Sequence, residues 1–476
     1  MRRDAVDLGD PLLEPARFHA DPVADACIAQ VLGPLPDGAF TAATSGVRQK
    51  QIGWVNQQFA RWNTNAALAG WLPDANAPEA AVKAMRDYVA KASVLPDWTD
   101  HAKVLRAQEI FTDYSLLSCT LLFCASLPEC YVIPDLAAVL HAAGQLEQHT
   151  EHRIRATAAM IFPVMMKGGL DTPEGSGVAQ IIKVRLIHAT IRNMVLRGQD
   201  PDLVGHHEAR RAVAPIPPMQ LATPASNLYE ALMAMGWDVD AEGLPCNQEE
   251  LAYTLLTFGY VFLRGMRTLG LRLPDEDERA YLHGWNVVGH VLGIRRELMA
   301  DDMETAAALF ARMQARGRAR PVLPDSRPEL AGALINTMRS SLDLHGILRN
   351  FPLLLTRHLC TRRSVRDLGL NKRCSIFSVL LFSAILGIVR GIDTVVRIFS
   401  PKFAITRFIT RLVGYPLVTK LLLDQTRPLL LPERLLEPVQ DMSKGWRFDP
   451  QAPRWLNVLE RRMVHGKATP AAAAPL

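Results

Sequence analysis

Cysteine is scarce and unpatterned. Seven occur in 476 residues, Cys27, Cys119, Cys124, Cys130, Cys246, Cys360 and Cys374, with no CxxC pair and no CxxCH attachment for a c-type haem. That spacing excludes a disulfide scaffold, a CxxC zinc site and a thioredoxin-like redox motif. An odd set in apolar surroundings reads as reduced, mostly buried thiols, which suits a cytoplasmic compartment. Long hydrophobic runs are also missing. The longest uncharged one, "CSIFSVLLFSAILGIV" (374–389), has 16 residues and lies between Lys372/Arg373 and Arg390. It falls short of the roughly 20 that a spanning helix needs, so a buried, interfacial or re-entrant helix is expected there. Arg2 and Arg3 are followed by no apolar segment, so no secretory signal is expected. Alternating Val/Ile/Thr stretches are lacking, and with them any sign of a sheet. The net charge is only +5, too little for a global pull on nucleic acid.

What is present is a large apolar content, 49%, with 21% charged residues, a globular composition able to bury a sizeable core. Residues 1–50 are punctuated by Pro and Gly and read as an arm lying over the body. The helical period takes over near 51, where Trp54, Phe59 and Trp62 share a face, and it continues through 76–95, 102–127, 135–149, 150–166 and 177–197. A loop at 198–219 precedes a second helical block at 225–317, and "PVLPDSRPEL" marks a boundary at 320–329. The expected organisation is therefore an arm (1–50), a helical core (51–320), a basic and apolar helical block (321–444) and a mostly disordered Ala/Pro tail (445–476). Charge is unevenly spread. Between Thr361 and Arg427 twelve Lys or Arg face three acidic residues, an excess of nine, and the remainder of the chain is net negative.

One histidine stands in an apolar helical run, "VRLIHATIR" (184–192). Helical spacing places Ile181, Val184, His188, Ile191 and Val195 on one stripe, so His188 points toward the core. Arg185 and Arg192, at i−3 and i+4, are placed to reach a ligand's carboxylates at its edge. Two readings stay open: a core histidine bonded to a backbone carbonyl, or an axial ligand for haem iron with a cationic rim for propionates. The preceding segment "EHRIRATAAMIFPVMM" (151–166) sets Arg153 and Thr157 one turn apart, and it joins the His188 helix through the Gly-rich "KGGLDTPEGSG". If the two run antiparallel, Thr157 and His188 lie about 13 and 16 Å from the turn, nearly level across the hairpin.

These residues resemble a known family. "SLPECY" (126–131), "GQLEQHTEHRIRATA" (144–158), the glycine turn and "KVRLIHATIR" (183–192), followed by "MGWDVDAEGLPCNQEELAYTLLTFGY" (235–260) and "AYLHGWNVVGHVLGI" (280–294), are similar to the catalytic domain shared by rubber oxygenases (latex-clearing proteins) and MpaB-type oxygenases. The likeness covers about 115–310, with a weaker echo at "FPLLLTRHL" (351–359). It implies an all-α fold, a globin-like helical core with additional C-terminal helices, holding haem b with His188 as the proximal iron ligand. Arg153 and Thr157 match the distal polar pair of the rubber-cleaving members. The distal lysine of those members falls on Ala156 here, a departure that points away from rubber as the substrate. A distal glutamate is assigned to Glu129, with Glu147 as the second choice. Glu129 just after Pro128 also suits a plain helix start, where a carboxylate is stabilised in any case. The resemblance thus implies a haem-dependent oxygenase that uses O2 on an unsaturated hydrophobic chain, isoprenoid or lipid-like, cleaving C=C to two carbonyl fragments. Arg153 and Thr157 would stabilise bound dioxygen, and the distal acid would act as base at an allylic C–H.

The other histidines say less. "HTEH" (His149, His152) has i,i+3 spacing without the carboxylates of a two-metal site. "HHE" (206–208) reads as a solvated loop, and His283 and His290 as packing residues. The block 361–427 interleaves Arg and Lys with Ile, Val, Phe and Leu, which fits peripheral contact with an anionic membrane or, equally, helices that complete the core with solvated arginines. Competing with the oxygenase are a non-catalytic helical protein that binds a membrane surface or lipid, and a haem protein without oxygenase activity. The former predicts a colourless protein, the latter a coloured one that leaves O2 untouched.

Overall fold

The computed structural model describes residues 9–34, 42–74, 77–145, 157, 160–206, 214–220, 228–320, 322–341 and 349–399. Among them every regular element is a helix, and strand-like pairing is confined to one isolated bridge between Ile216 and Trp237. The helices that carry the argument are α1 (Pro22–Leu32), α2 (Glu79–Ala92), α3 (His101–Asp113), α4 (Gly177–Val195), α5 (Gln248–Phe258), α6 (Tyr260–Thr268), α7 (Asp275–Val291), α8 (Met303–Arg318), α9 (Phe351–Leu359) and α10 (Ile376–Phe399).

Local sequence explains several boundaries. Asp21 accepts from the Ala24 N–H and Pro22 occupies the first turn of α1, where its missing N–H costs nothing. Asp100 caps α3, Asn247 caps α5 and Asp302 caps α8, each side chain accepting from N–H groups two or three residues on. The expected helix over 102–127 breaks at Tyr114: α3 ends at Asp113, and Ser115–Leu121 runs into a π-helical turn, Leu122–Ser126, before Leu127–Cys130.

One large core runs from Leu13 to Phe382, and a smaller one gathers Val139, Met194 to Leu196, Tyr229, Leu232, Trp237 and Leu244. Helix α4 joins them: Val178 to Ala189 belong to the first, Met194 and Val195 to the second. It lies against α1 and α7, and its buried side is built from Ile181, Ile182, Arg185, Leu186, Ala189 and Arg192.

Packing crosses two of the expected boundaries. In the N-terminal segment α1 packs against α2 and α4 and buries Ala24, Cys27, Ile28 and Val31. Beyond 320–329, Leu330, Leu334, Met338, Leu353, Leu359 and Leu368 lie in the same core as Leu13, because apolar spacing on both sides of the Pro-rich link presents faces to one interior. The predicted loop at 198–219 contains a helix, Pro201–Gly205. No single helix among the described residues is long and apolar enough to cross a membrane. One bent pair, His101–Asp113 with Leu117–Cys130 at 89°, passes on length and composition, and Leu117, Leu121, Phe123 and Ala125 are buried core.

Candidate functional site

The turn that sets α4 in place needs its glycines. Gly168 has φ +78°, and a Cβ on Gly169 would stand 2.0 Å from the Pro163 carbonyl oxygen, an approach that only glycine permits. Asn65 clasps the turn, its amide donating to the carbonyls of Gly169 (3.0 Å) and Thr172 (2.9 Å) while its oxygen accepts from the Ala179 N–H (3.1 Å). Gln108 on α3 accepts from the Gly168 N–H at 3.0 Å and donates to the Val164 carbonyl at 3.2 Å. Farther along, the Tyr88 hydroxyl of α2 donates to the Ile182 carbonyl at 2.7 Å. Helix α4 therefore enters the core fixed along its first two turns.

His188 lies at the edge of the buried side of α4. Val184, His188 and Ile191 on its stripe are half-buried, Ile181 and Val195 are fully buried, and the neighbouring Ile187 is exposed. The residue keeps intermediate exposure, yet its Nδ1 is enclosed and has no hydrogen-bond partner. Burial, and secondarily the positive charge of Arg192, holds its pKa down to about 4, so the ring is neutral at neutral pH. The simplest core-histidine expectation, a ring bonded to a backbone carbonyl, is not met at Nδ1.

The two arginines that spacing offered to a ligand have other work. Arg185 is buried and grips Asp21 with two nitrogens, Nη2 to Oδ1 at 2.7 Å, while Nη1 donates to the Val291 carbonyl at 3.0 Å. Arg192, fully buried, is bound to Asp25 and donates to the carbonyls of Pro245 (2.9 Å) and Cys246 (2.6 Å). Arg185 therefore ties α4 to the start of α1 and the end of α7, and Arg192 ties it to α1 and the start of α5. No cationic rim forms from them, because the helix turns their stems inward, where α1 supplies two aspartates. Burial pushes Asp25 up to about 6 despite its arginine.

Glu129 is likewise reassigned. Its side chain is out of solvent and accepts from Arg264 Nη2 (2.8 Å), Gln314 Nε2 (2.8 Å), Ser364 Oγ (2.8 Å) and, longer, the Thr361 N–H (3.4 Å). Its backbone carbonyl accepts from the Tyr253 hydroxyl at 2.6 Å. So engaged, the Glu129 carboxylate joins α6, α8 and residues 361–364. Of the remaining expected site residues, Thr157 is helical and half-buried. Arg153, Ala156, Glu147, His149 and His152 lie outside the described residues. His206 is exposed, His283 Nε2 accepts from the Asp100 N–H at 2.9 Å, and His290 packs edge-on to Trp98 at 6.0 Å. No group of three or more His, Cys, Asp or Glu able to hold a metal occurs among the described residues.

A feature absent from the sequence reading is a small ionic cavity of about 20 Å3 lined by Arg17, Asp135, Asn247, Glu250, Tyr253 and Arg320, with room for about one water. Both carboxyl oxygens of Glu250 and Oδ1 of Asp135 are buried without partners. Burial raises Glu250 to about 8 and Asp135 to about 6, so Glu250 is protonated at neutral pH. The only sequence signal was an acidic pair, Glu249–Glu250, in the first turn of a helix, which ordinarily faces solvent.

The arrangement defines an all-helical protein with a neutral, unpartnered imidazole on a helix that joins two cores. The family described as "ER-bound oxygenase mpaB/B'/Rubber oxygenase, catalytic domain" matches residues 119–390, more than half of the chain, and the chain belongs to that family. It is 24% identical over 260 residues to the rubber oxygenase of Streptomyces sp. (strain K30), a match spanning 53% of this chain and 52% of that protein, about half the length of each. Its fold is similar to a solved structure of latex clearing protein in the closed state, with a TM-score of 0.56, 16% identity and 90% of each chain covered.

Proposed function

We propose that this protein is a haem b-dependent oxygenase that cleaves a C=C bond of an unsaturated hydrophobic chain, isoprenoid or lipid-like, to two carbonyl ends, with His188 as its iron ligand. The observation that carries the reading is the enclosed, unpartnered Nδ1 of His188 on a helix whose other buried polar side chains, Arg185 and Arg192, have partners. A neutral imidazole is the form that ligates iron, and burial keeps His188 in that form. Haem would supply the activation of O2 that no side chain can provide.

The chain's own part is placement and polarity. The glycine turn and its Asn65 and Gln108 clasp fix the height of His188, and Arg185 and Arg192 hold α4 against α1. Val184, Ile187 and Ile191 flank His188 along α4 with partly exposed apolar surface that suits a hydrocarbon chain. Thr157 and Arg153 are assigned the hydrogen bonds that steady O2, and Glu147 inherits the role of general base from Glu129. Ala156, where the rubber-cleaving relatives carry lysine, favours an unsaturated chain other than rubber. The globin-like arrangement of the core is part of this reading. Seven free thiols, six of them buried, support a reducing, cytoplasmic placement.

The test is O2 uptake by the haem-loaded protein with polyprenyl alkenes of graded length, with carbonyl end groups followed by mass spectrometry. Uptake matched by two carbonyl ends per cleaved bond supports the reading, and haem without uptake on any alkene assigns a store or sensor instead.

A further inference from the structure

Helix α10 meets the body of the protein along one narrow stripe. Of its apolar first half only Ser378 and Phe382 are buried, with Ile385 and Leu386 half-buried, a stripe one residue wide at helical spacing. Phe382 packs edge-on to Phe351 at 5.0 Å and lies 6.2 Å from the His358 ring, while Asn350 reaches Ser378 Oγ at 3.4 Å. The rest faces outward. Ile376, Phe377, Leu380 and Ile388 are 74%, 72%, 61% and 60% exposed, and Val379, Leu381, Ala384 and Gly387 continue the same surface. Leaving so many large apolar side chains in water on one helix is unusual for a surface with no partner.

Beside the start of that helix stand exposed cations: Arg362, Arg363, Arg366, Lys372 and Arg373. The one acidic residue among them, Asp367, is taken by Arg318 at 2.6 Å. Arg357 donates to the Leu370 carbonyl at 2.6 Å and also binds the Lys372 carbonyl, so the cationic turn is held to the body of the protein next to α10. Beyond the described residues the sequence keeps the pattern, with Lys402, Arg407, Arg411 and Lys420 set among Phe, Ile, Leu and Val.

We infer that α10 and this cationic turn form a docking surface for an anionic lipid bilayer, with α10 lying in the interface rather than crossing it. The 16-residue uncharged run is too short to span, and an apolar face bordered by uncompensated cations is what binds headgroups and acyl chains together. Charge favours lipid over a second copy of the chain, since a copy would bring five more cations while phosphate headgroups bring the opposite sign. The inference stands apart from the haem assignment, and a protein without haem would show it equally.

The test uses the full chain sedimented with vesicles of phosphatidylcholine alone and with phosphatidylglycerol added. Binding to the anionic vesicles, weakened by salt and weak on neutral ones, is expected. The pair Phe377→Asp and Leu380→Asp is expected to abolish it while leaving the melting temperature unchanged, because both side chains are outside the core. Each charge removed by Arg362→Gln or Arg366→Gln is expected to weaken binding about fivefold. Full-strength binding by the Asp pair overturns the inference. So does a parent chain that ignores anionic vesicles, including one that is dimeric through this face and becomes monomeric in the Asp pair.

Discussion

The Glu129 carboxylate and the Nδ1 of His188 are both enclosed polar groups on helical segments, and they are accounted for in opposite ways. Glu129 meets four donors from three parts of the chain. His188, on a helix whose buried Arg185, Arg192 and Asn193 all have partners, has an Nδ1 that meets none. A buried polar group left unpaired is costly unless something else serves it. The contrast separates a joint that holds the fold from an imidazole nitrogen that the fold leaves unpaired, the side chain proposed as the iron ligand, and spacing along the sequence cannot make that distinction.

Removing the joint should produce the largest effect. Glu129→Ala leaves the largely buried Arg264 guanidinium without its carboxylate and Gln314 with the Tyr253 hydroxyl as its acceptor, and a loss of about 3–5 kcal/mol in denaturant unfolding is expected, with haem content unchanged in whatever folds. A loss below about 1 kcal/mol would remove one side of the comparison. Next, Arg192→Met strands Asp25 and frees the Pro245 and Cys246 carbonyls, at a cost of about 3 kcal/mol. If Arg192 instead served a haem propionate, the same variant would lose haem with little change in stability.

The third prediction concerns Glu250 and reverses the sign. Its carboxyl is held up to about 8 in the fold, above its value in the unfolded chain, so the folded state keeps a proton that the unfolded chain releases. Stability should therefore fall as pH rises from about 4.5 through about 8. Glu250→Gln, which cannot ionise, should flatten that slope and raise the melting temperature at pH 8 to 9 while changing little at pH 5. A parallel pH profile for parent and variant would show that Glu250 finds a partner. Smallest of all, His188→Leu should change stability by less than about 1.5 kcal/mol, since no Nδ1 hydrogen bond is lost and the volume is similar. In the haem-free protein it should also remove part of the loss of stability as pH falls from 6.5 toward 4, where the unfolded imidazole takes a proton that the folded one refuses.

Much of the fold was legible because helices announce themselves by period and caps. The α4 segment was expected at 177–197 and spans Gly177–Val195, and the Gly-rich turn before it is demanded by backbone approach at Gly169. Less legible was which helix meets which. The N-terminal residues looked like an arm because Pro and Gly dominate their neighbourhood, yet Asp21 and Asp25 are what Arg185 and Arg192 were placed to meet. Spacing alone put those arginines beside His188 and could not reveal that α1 supplies their partners from about 165 residues away. The surroundings of Glu129 were illegible for the same reason, since Arg264, Gln314 and Ser364 converge on it only in three dimensions. The exposed face of α10 was readable only in part: the apolar run and its flanking cations were plain, but its exposure needed the fold.

The most direct measurement is the absorption spectrum of the purified protein beside His188→Leu, each expressed with haem supplied and each checked for folding by circular dichroism. The account predicts a Soret band with near-stoichiometric haem in the parent, and its loss in a variant that remains folded. A parent that stays colourless on haem titration, or a His188→Leu protein with an unchanged Soret band, would contradict it.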